Sequence, residues 1–271
     1  LLPCSAGIWL MNALDFSQKK IIREKIVILT CYDYSSAKIL NNSSLDALLV
    51  GDSLAMTMHG FKDTFMATLA MMELHTAAVS RGANDKFIIS DLPFLSYRKS
   101  KKHSVTAAQK LIQAGAQAVK LEGVAGNLAL ITHLVESGIP VMGHLGLTPQ
   151  LVHTLGGYKV QGKTLAAAER LKQDALALEQ AGCFALVLEC VPSQLAKEIT
   201  ATLKIATIGI GAGPDTDGQV LVFQDLLGLN LDFKAKFVKQ FLNAGQLFCE
   251  TVDHYSDCVK QGQFPSHEHS Y

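Results

Sequence analysis

Seven short apolar runs, each followed by a segment long enough for a helix, constrain this chain more than any other feature. They are "IVILTCYD" (26–33), "DALLVGDS" (46–53), "KFIISDLP" (86–93), "QAVKLEG" (117–123), "IPVMGHLG" (139–146), "FALVLECV" (184–191) and "IATIGIGAG" (205–213). Unbroken apolar text such as Ala47 to Val50 suits a strand covered on both faces, as in a parallel sheet. The intervening segments carry helical spacing: in 163–182, Leu165, Ala168, Leu171, Ala175, Leu178 and Ala181 recur at steps of three and four, and Gly182 ends the run. A second such segment, "TAAQKLIQAGA", is stopped by Gly115. Strand–helix alternation predicts a parallel sheet. Seven units plus an eighth strand expected within 219–228 predict an α/β protein built as one closed (β/α)8 TIM barrel, for which 271 residues is a suitable length. The tail from 231 onward reads as amphipathic helices, "FKAKFVKQFLNAGQLF" and then "CETVDHYSDCVKQG".

The predicted catalytic domain spans 11–271, with Met11 as a natural start. Residues 1–10 lack an initiating Met and a positively charged region, make a poor signal peptide, and are read as an extension, non-native or disordered, outside the fold. Apolar residues make up 49% of the chain and charged residues 18%, enough to fill a large core. Twenty-four basic residues balance twenty-four acidic ones, which leaves no basic face for a nucleic-acid backbone. No apolar run approaches the roughly 18 residues that span a bilayer. The six cysteines form no CxxC pair and read as reduced thiols of a cytosolic protein. "IGIGAGP" spells GxGxG and lacks a Walker lysine, so it reads as a tight strand-to-helix turn rather than a nucleotide site.

The strand ends are where chemistry concentrates. The second run delivers Asp52 and Ser53, the third Asp91, the fourth Lys120 and Glu122, the fifth His144 and the sixth Glu189. One aspartate after a strand is ordinarily a helix cap. Five successive units ending on an ionisable group are different, because parallel strands bring those ends to one rim, where barrel active sites form. Asp52 and Asp91, on neighbouring strands, can share a hard cation such as Mg2+, which keeps several waters and takes few protein ligands. Lys120 suits a substrate carboxylate, and Glu189 or His144 can move a proton. Together these groups fit proton abstraction beside a carbonyl.

The motifs also carry a family resemblance. "TCYDYSSAKIL", "LLVGDSLAM", "HTAAVSRGA", "DLPF", "VKLEG", "PVMGHLGLTPQ", "GGYKVQGK", "DALALEQAGCFALVLECVP", "IGIGAGPDTDGQVLVFQDLLG" and the terminal "EHSY" occur in order, and from about residue 18 the chain resembles the ketopantoate hydroxymethyltransferase family. That resemblance implies a cytoplasmic, commonly homodecameric barrel enzyme. It would transfer a hydroxymethyl group from 5,10-methylenetetrahydrofolate to 3-methyl-2-oxobutanoate, giving 2-dehydropantoate for pantothenate and coenzyme A synthesis. It further implies Mg2+ held by Asp52 and Asp91 with Glu122 beside the metal, substrate contacts from Asp52, Ser53, Asp91, Lys120 and His144, and Glu189 as general base.

Two places depart from the family pattern. Ala55 stands where the family commonly has glycine after "GDSL", and "DTFMATLAMM" replaces a "TLPVT"-like string. Both bear on loop packing, and so on rate or folate affinity, rather than on a charged group. "GGYKVQGK" reads equally as a lid or as an ordinary flexible loop. The alternative activity is a Mg2+-dependent 2-oxo acid lyase or mutase of the phosphoenolpyruvate-binding barrel type, which fold alone does not separate from the transferase. A barrel that had lost activity would show an eroded strand-end set, whereas all six ionisable groups are present.

Overall fold

In the computed structural model, which describes residues 11–231 and 235–271, eight parallel strands close into a barrel in chain order. They are β1 (Ile26–Thr30), β2 (Ala47–Val50), β3 (Phe87–Asp91), β4 (Ala118–Glu122), β5 (Val141–Gly146), β6 (Ala185–Glu189), β7 (Ala206–Ile210) and β8 (Gly218–Leu221). Closure is made by β1 against β8, with Ile26 opposite Gly218 and Ile28 opposite Val220. All seven expected strands are present. The eighth expected segment divides, its first part forming β8 and its later part a short helix. The segment reading for residues 1–10 lies outside the described residues.

Side chains alternate across a strand, so every second residue points into the barrel. Ile26, Ile28, Ala47, Leu49, Phe87, Ile89, Ala118, Met142, Ala185, Val187, Ala206, Ile208 and Val220 form that interior. Small alanines lie among bulky residues and let the layers interdigitate. The other parity is also buried, as in Leu48, Val50, Ile88 and Leu186, because the barrel's helices cover the outside. The opposite end from the site is plugged by Phe16 of α1 (Ala13–Ile21). Its fully buried ring meets Phe184 at 4.9 Å and Phe87 at 5.6 Å between centroids, both edge-on.

The helices start where the sequence provides caps. Asp33 accepts from the Ser36 N–H to open α2 (Tyr34–Asn41), and Thr68 caps the helix Leu69–Gly82. Ser100 caps Lys101–Gln113, and Thr164 caps Leu165–Gln180. The described chain falls into two compact units, dividing between Leu221 and Val222. The second unit contains a short helix, Phe223–Leu227, ended by Gly228 at φ 69°, and a long one, Ala244–Lys260. Here the expected helical tail is corrected: residues 235–243 are not helical. Their backbone bonds run elsewhere, Phe241 N–H donating to Leu226 O and Val238 N–H closing a turn on Ala235 O, so no i to i−4 ladder forms. Among the described residues, no helix is long and apolar enough to cross a membrane.

Candidate active site

On β3 to β6, continuing the inward parity of the strand reaches the charged residues, while on β2 it reaches Gly51 and Ser53 with Asp52 between them. Ile89 leads to Asp91, Ala118 to Lys120 and Glu122, Met142 to His144, and Val187 to Glu189. The apolar core therefore changes, within one layer, into a ring of ionisable groups at the C-terminal ends of β3 to β6. Register places Asp91 beside Lys120, Glu122 beside His144, and Glu189 beside Gly146. Asp52, Asp91, Lys120, Glu122 and His144 are all buried, while Glu189 and Ser53 are half-buried at the opening.

Asp52 and Asp33 show why a cap and a site residue differ. Asp33 bonds the first turn of the following helix, whereas Asp52 Oδ2 accepts from Gln150 Nε2 at 2.8 Å. Asp91 is likewise no cap. Its Oδ2 accepts the Asp52 N–H at 3.1 Å, and its Oδ1 lies 2.8 Å from Lys120 Nζ without forming a well-directed hydrogen bond. Burial, then the charges of Asp91 and Glu122, push Asp52 well above the ordinary carboxylate range. Burial also raises Asp91, against the opposing pull of Lys120. Burial works against the Lys120 charge, but Asp91, Glu122 and Asp52 outweigh it and raise the ammonium above its usual range.

His144 sits between two carboxylates, Nδ1 3.4 Å from Glu122 Oε1 and Nε2 3.2 Å from Glu189 Oε2. Burial and Lys120, whose Nζ is 3.5 Å from Nδ1, disfavour a charged ring; the two glutamates prevail and raise it to about 9. That value favours a charged ring at neutral pH between the two glutamates, although Nε2 makes no well-directed hydrogen bond. Ser53 Oγ is 2.8 Å from Tyr32 OH, and Gly51 makes room for them: a Cβ there would lie 2.9 Å from Ser53 Oγ and 3.5 Å from Asp91 Oδ2. Ala55, the departure in that motif, is fully buried in the helical turn Leu54–Thr57.

The sequence reading missed Gln150 and Tyr97, both buried. Gln150 lies in the turn Pro149–Leu151 after β5, and its own N–H donates to Glu122 Oε2 at 2.9 Å. Tyr97 OH donates to Gln150 Oε1 at 2.7 Å. The only available signal was that Gln150 closes the quoted string "GHLGLTPQ"; no periodicity marks either residue. The five described cysteines are free thiols. Burial pushes the Cys190 thiol up to about 11, so it stays protonated at neutral pH and makes a poor nucleophile. In "GGYKVQGK", Gly156, Gly157 and Tyr158 line a cleft of about 310 Å3 with Lys62, Asp63, Val152 and His153.

A closed parallel barrel whose interior ends in a buried ring of charge at the strands' C-terminal rim defines a barrel enzyme with its chemistry at that rim. The sequence pattern described as Ketopantoate hydroxymethyltransferase matches residues 11–267. A 3-methyl-2-oxobutanoate hydroxymethyltransferase of Legionella pneumophila (strain Lens) is 56% identical over 262 residues, covering 96% of this chain and 100% of its own. One of Francisella tularensis subsp. tularensis (strain WY96-3418) is 52% identical over 260 residues, covering 96% and 98%. The chain belongs to the ketopantoate hydroxymethyltransferase family and is an enzyme. Among solved structures, a 2,3-dimethylmalate lyase of the PEP mutase/isocitrate lyase superfamily matches with a TM-score of 0.61 at 15% identity, covering 97% of this chain and 93% of that one. A phosphonopyruvate hydrolase complexed with oxalate and Mg2+ matches at 0.63 and 10%, covering 96% and 93%. At such identities these two establish the shared barrel alone, so the lyase or mutase alternative gains nothing from them.

Proposed function

We propose that this chain transfers a hydroxymethyl group from 5,10-methylenetetrahydrofolate to 3-methyl-2-oxobutanoate, forming 2-dehydropantoate and tetrahydrofolate. The observation that carries the reading is the ring itself: a buried lysine, an imidazolium and four carboxylates brought together by five neighbouring units of one rim. Family membership and the names of relatives above 50% identity support the choice of substrate.

A divalent cation fits this ring. Fully ionised, Asp52, Asp91, Glu122 and Glu189 would carry four negative charges against one each on Lys120 and protonated His144, a shortfall of two positive charges. The upward displacement of both aspartates is the response of buried, mutually repelling carboxylates to that shortfall. Among the described residues, no three His, Cys, Asp or Glu side chains converge as a ready-made metal cage. Two aspartates completed by water and substrate oxygens match the habit of Mg2+. Asp52 and Asp91 would hold it, with Glu122 beside them, its two oxygens already directed to Gln150 N–H and towards His144. Bound there, Mg2+ would supply a Lewis acid for the oxo acid's carboxylate and 2-oxo oxygens.

The chain's own groups do the rest. Lys120, with Ser53 at the rim, orients the anionic substrate. Glu189 takes the C3 proton, and the nearby His144 imidazolium holds that carboxylate in place. Lys120 offsets the negative charge that then develops on the 2-oxo oxygen. One methylene–nitrogen bond of the folate opens to an iminium, whose carbon the C3 carbanion attacks; the second methylene–nitrogen bond then breaks as water supplies the hydroxyl oxygen, and the C3 proton and one water proton end on the two folate nitrogens. The same reading takes the enzyme as cytoplasmic and homo-oligomeric, with the decamer as the family expectation. Support for association is the exposed apolar set Leu247, Phe248, Val252, Tyr255 and Val259 on the long C-terminal helix.

The test couples two measurements. Purified protein with Mg2+, the oxo acid and methylenetetrahydrofolate should form 2-dehydropantoate, and without folate it should exchange the C3 hydrogen for deuterium. Glu189→Gln should slow that exchange by about 10²- to 10⁴-fold, the usual range for losing a general base. Exchange at the wild-type rate would remove Glu189 from the role of base. Absence of folate-dependent product from the folded protein would reject the transferase reading.

A further inference from the structure

We infer that Gln150, held in one orientation by Tyr97, is the positioning residue that presents Asp52 and Glu122 to the cation, and that it leaves Asp52 a single free oxygen for that purpose. The inference rests on the Mg2+ reading above. Gln150 is 2% exposed, and both hydrogens and the oxygen of its amide are engaged. Nε2 donates one hydrogen to Asp52 Oδ2 at 2.8 Å and the other to Leu92 O at 3.0 Å, while Oε1 accepts from Tyr97 OH at 2.7 Å. The amide cannot be turned over. Reversal would set Oε1 against two acceptors at those distances and give up a pair of donated bonds. Tyr97 is itself fixed, its hydroxyl also reaching Glu122 O at 3.4 Å, and its buried phenol is raised above the ordinary range, so it remains a donor.

The consequence follows from where the donors fall. Among the described residues, the hydrogen bonds on the Asp52 carboxylate fall on Oδ2, and none falls on Oδ1. Asp52 is therefore prepared to offer one oxygen rather than to chelate with two. Donation from a neutral amide also favours its carboxylate form without adding a competing cation. Through its backbone N–H, the same residue anchors Glu122 Oε2, so one side chain and its main chain tie the ends of β2 and β4 from the loop after β5. Buried groups that orient metal ligands in this way commonly change affinity by 10- to 100-fold when removed.

Two variants test the inference in the full-length protein. Gln150→Met keeps volume but removes both donors and the acceptor; Tyr97→Phe removes only the hydroxyl that orients the amide. Mg2+ and Mn2+ affinity is measured by calorimetry and by Mn2+ electron paramagnetic resonance, without substrate, beside wild type and Asp52→Asn. Steady-state kinetics are then recorded across Mg2+ concentration. Gln150→Met should weaken cation binding by about 10-fold or more and Tyr97→Phe by a smaller factor, with turnover recovering towards wild type at saturating Mg2+. Folded variants that bind the cation as wild type does, whatever their melting temperature, overturn the inference and leave these residues a packing role. If Gln150→Met does not fold, Tyr97→Phe decides by the same criterion. A wild type that binds neither ion, or an Asp52→Asn variant that binds as tightly as wild type, overturns the Mg2+ reading itself and this inference with it.

Discussion

Lys120→Met removes the one ammonium from a site of buried carboxylates, and its effect can be worked out from the geometry. Lys120 Nζ and Asp91 Oδ1 are 2.8 Å apart, with side chains 5% and 3% exposed. At an effective dielectric constant of about 20, charges at that separation attract by about 6 kcal/mol, much of it cancelled by desolvation. Breaking such a buried pair by removing one partner destabilises by about 3–5 kcal/mol, because the other charge is left unpaired. Asp91→Asn should cost less, since Glu122 and Asp52 still attract the lysine. The double variant leaves neither charge stranded, so it should be more stable than Lys120→Met alone and less destabilised than the sum of the singles by about 2 kcal/mol. The pH dependence has a definite sign. Without Lys120, the folded-state value of Asp91 rises further above its unfolded value of about 3.9, so the deficit is fully present above the folded value and fades as pH falls through it. Urea denaturation of metal-free protein at one protein concentration, at neutral and mildly acidic pH, measures all four forms. Additivity within about 0.5 kcal/mol, or a deficit that does not shrink on acidification, would refute the buried pairing.

Other outcomes follow from the same geometry. Phe16→Ala, at the far end of the barrel, should cost about 3–5 kcal/mol in denaturation while leaving kcat of the folded enzyme near wild type. Gly146→Ala should be damaging out of proportion to one methyl group, since φ is 93° and the new Cβ would lie 2.1 Å from Glu189 O. A shift of the base by about 1 Å would reduce kcat by about 100-fold, and a variant with normal kcat would show that β5 and β6 can part there freely. His144, raised from 6.5 to about 9, contributes stability that is complete below about pH 6.5 and lost as pH rises through about 9, worth about 3 kcal/mol. Glu189→Gln should flatten that loss, and parallel stability curves from pH 6 to 10 would reject the His144–Glu189 pairing.

Most of the architecture was legible because it is written in short-range patterns. The apolar run at 47–50, the stepped Leu and Ala positions of 165–178 and the helix stops Gly115 and Gly182 each depend on near neighbours in the chain. The candidate site was legible for a related reason: Asp91, Lys120, His144 and Glu189 each stand where the apolar text of a strand stops, and parallel strands bring such ends to one rim. The tail was misread because amphipathic spacing in 235–243 says nothing about competing partners, and there Leu226 O takes the Phe241 N–H that a helix would have used. Gln150 escaped notice because no local pattern marks a glutamine whose partner lies 98 residues away.

By itself, the sequence determined the strand–helix alternation and the gathering of the ionisable strand ends at one rim, since each follows from backbone geometry repeated along the chain. Only tertiary pairing decided which charge meets which. It turned Asp52 from a possible helix cap into the acceptor of a buried amide, set His144 between two glutamates, and gathered four carboxylates around one lysine. The physical reason is that hydrogen-bond partners and burial are properties of distance in space, which near-neighbour patterns along the chain do not carry.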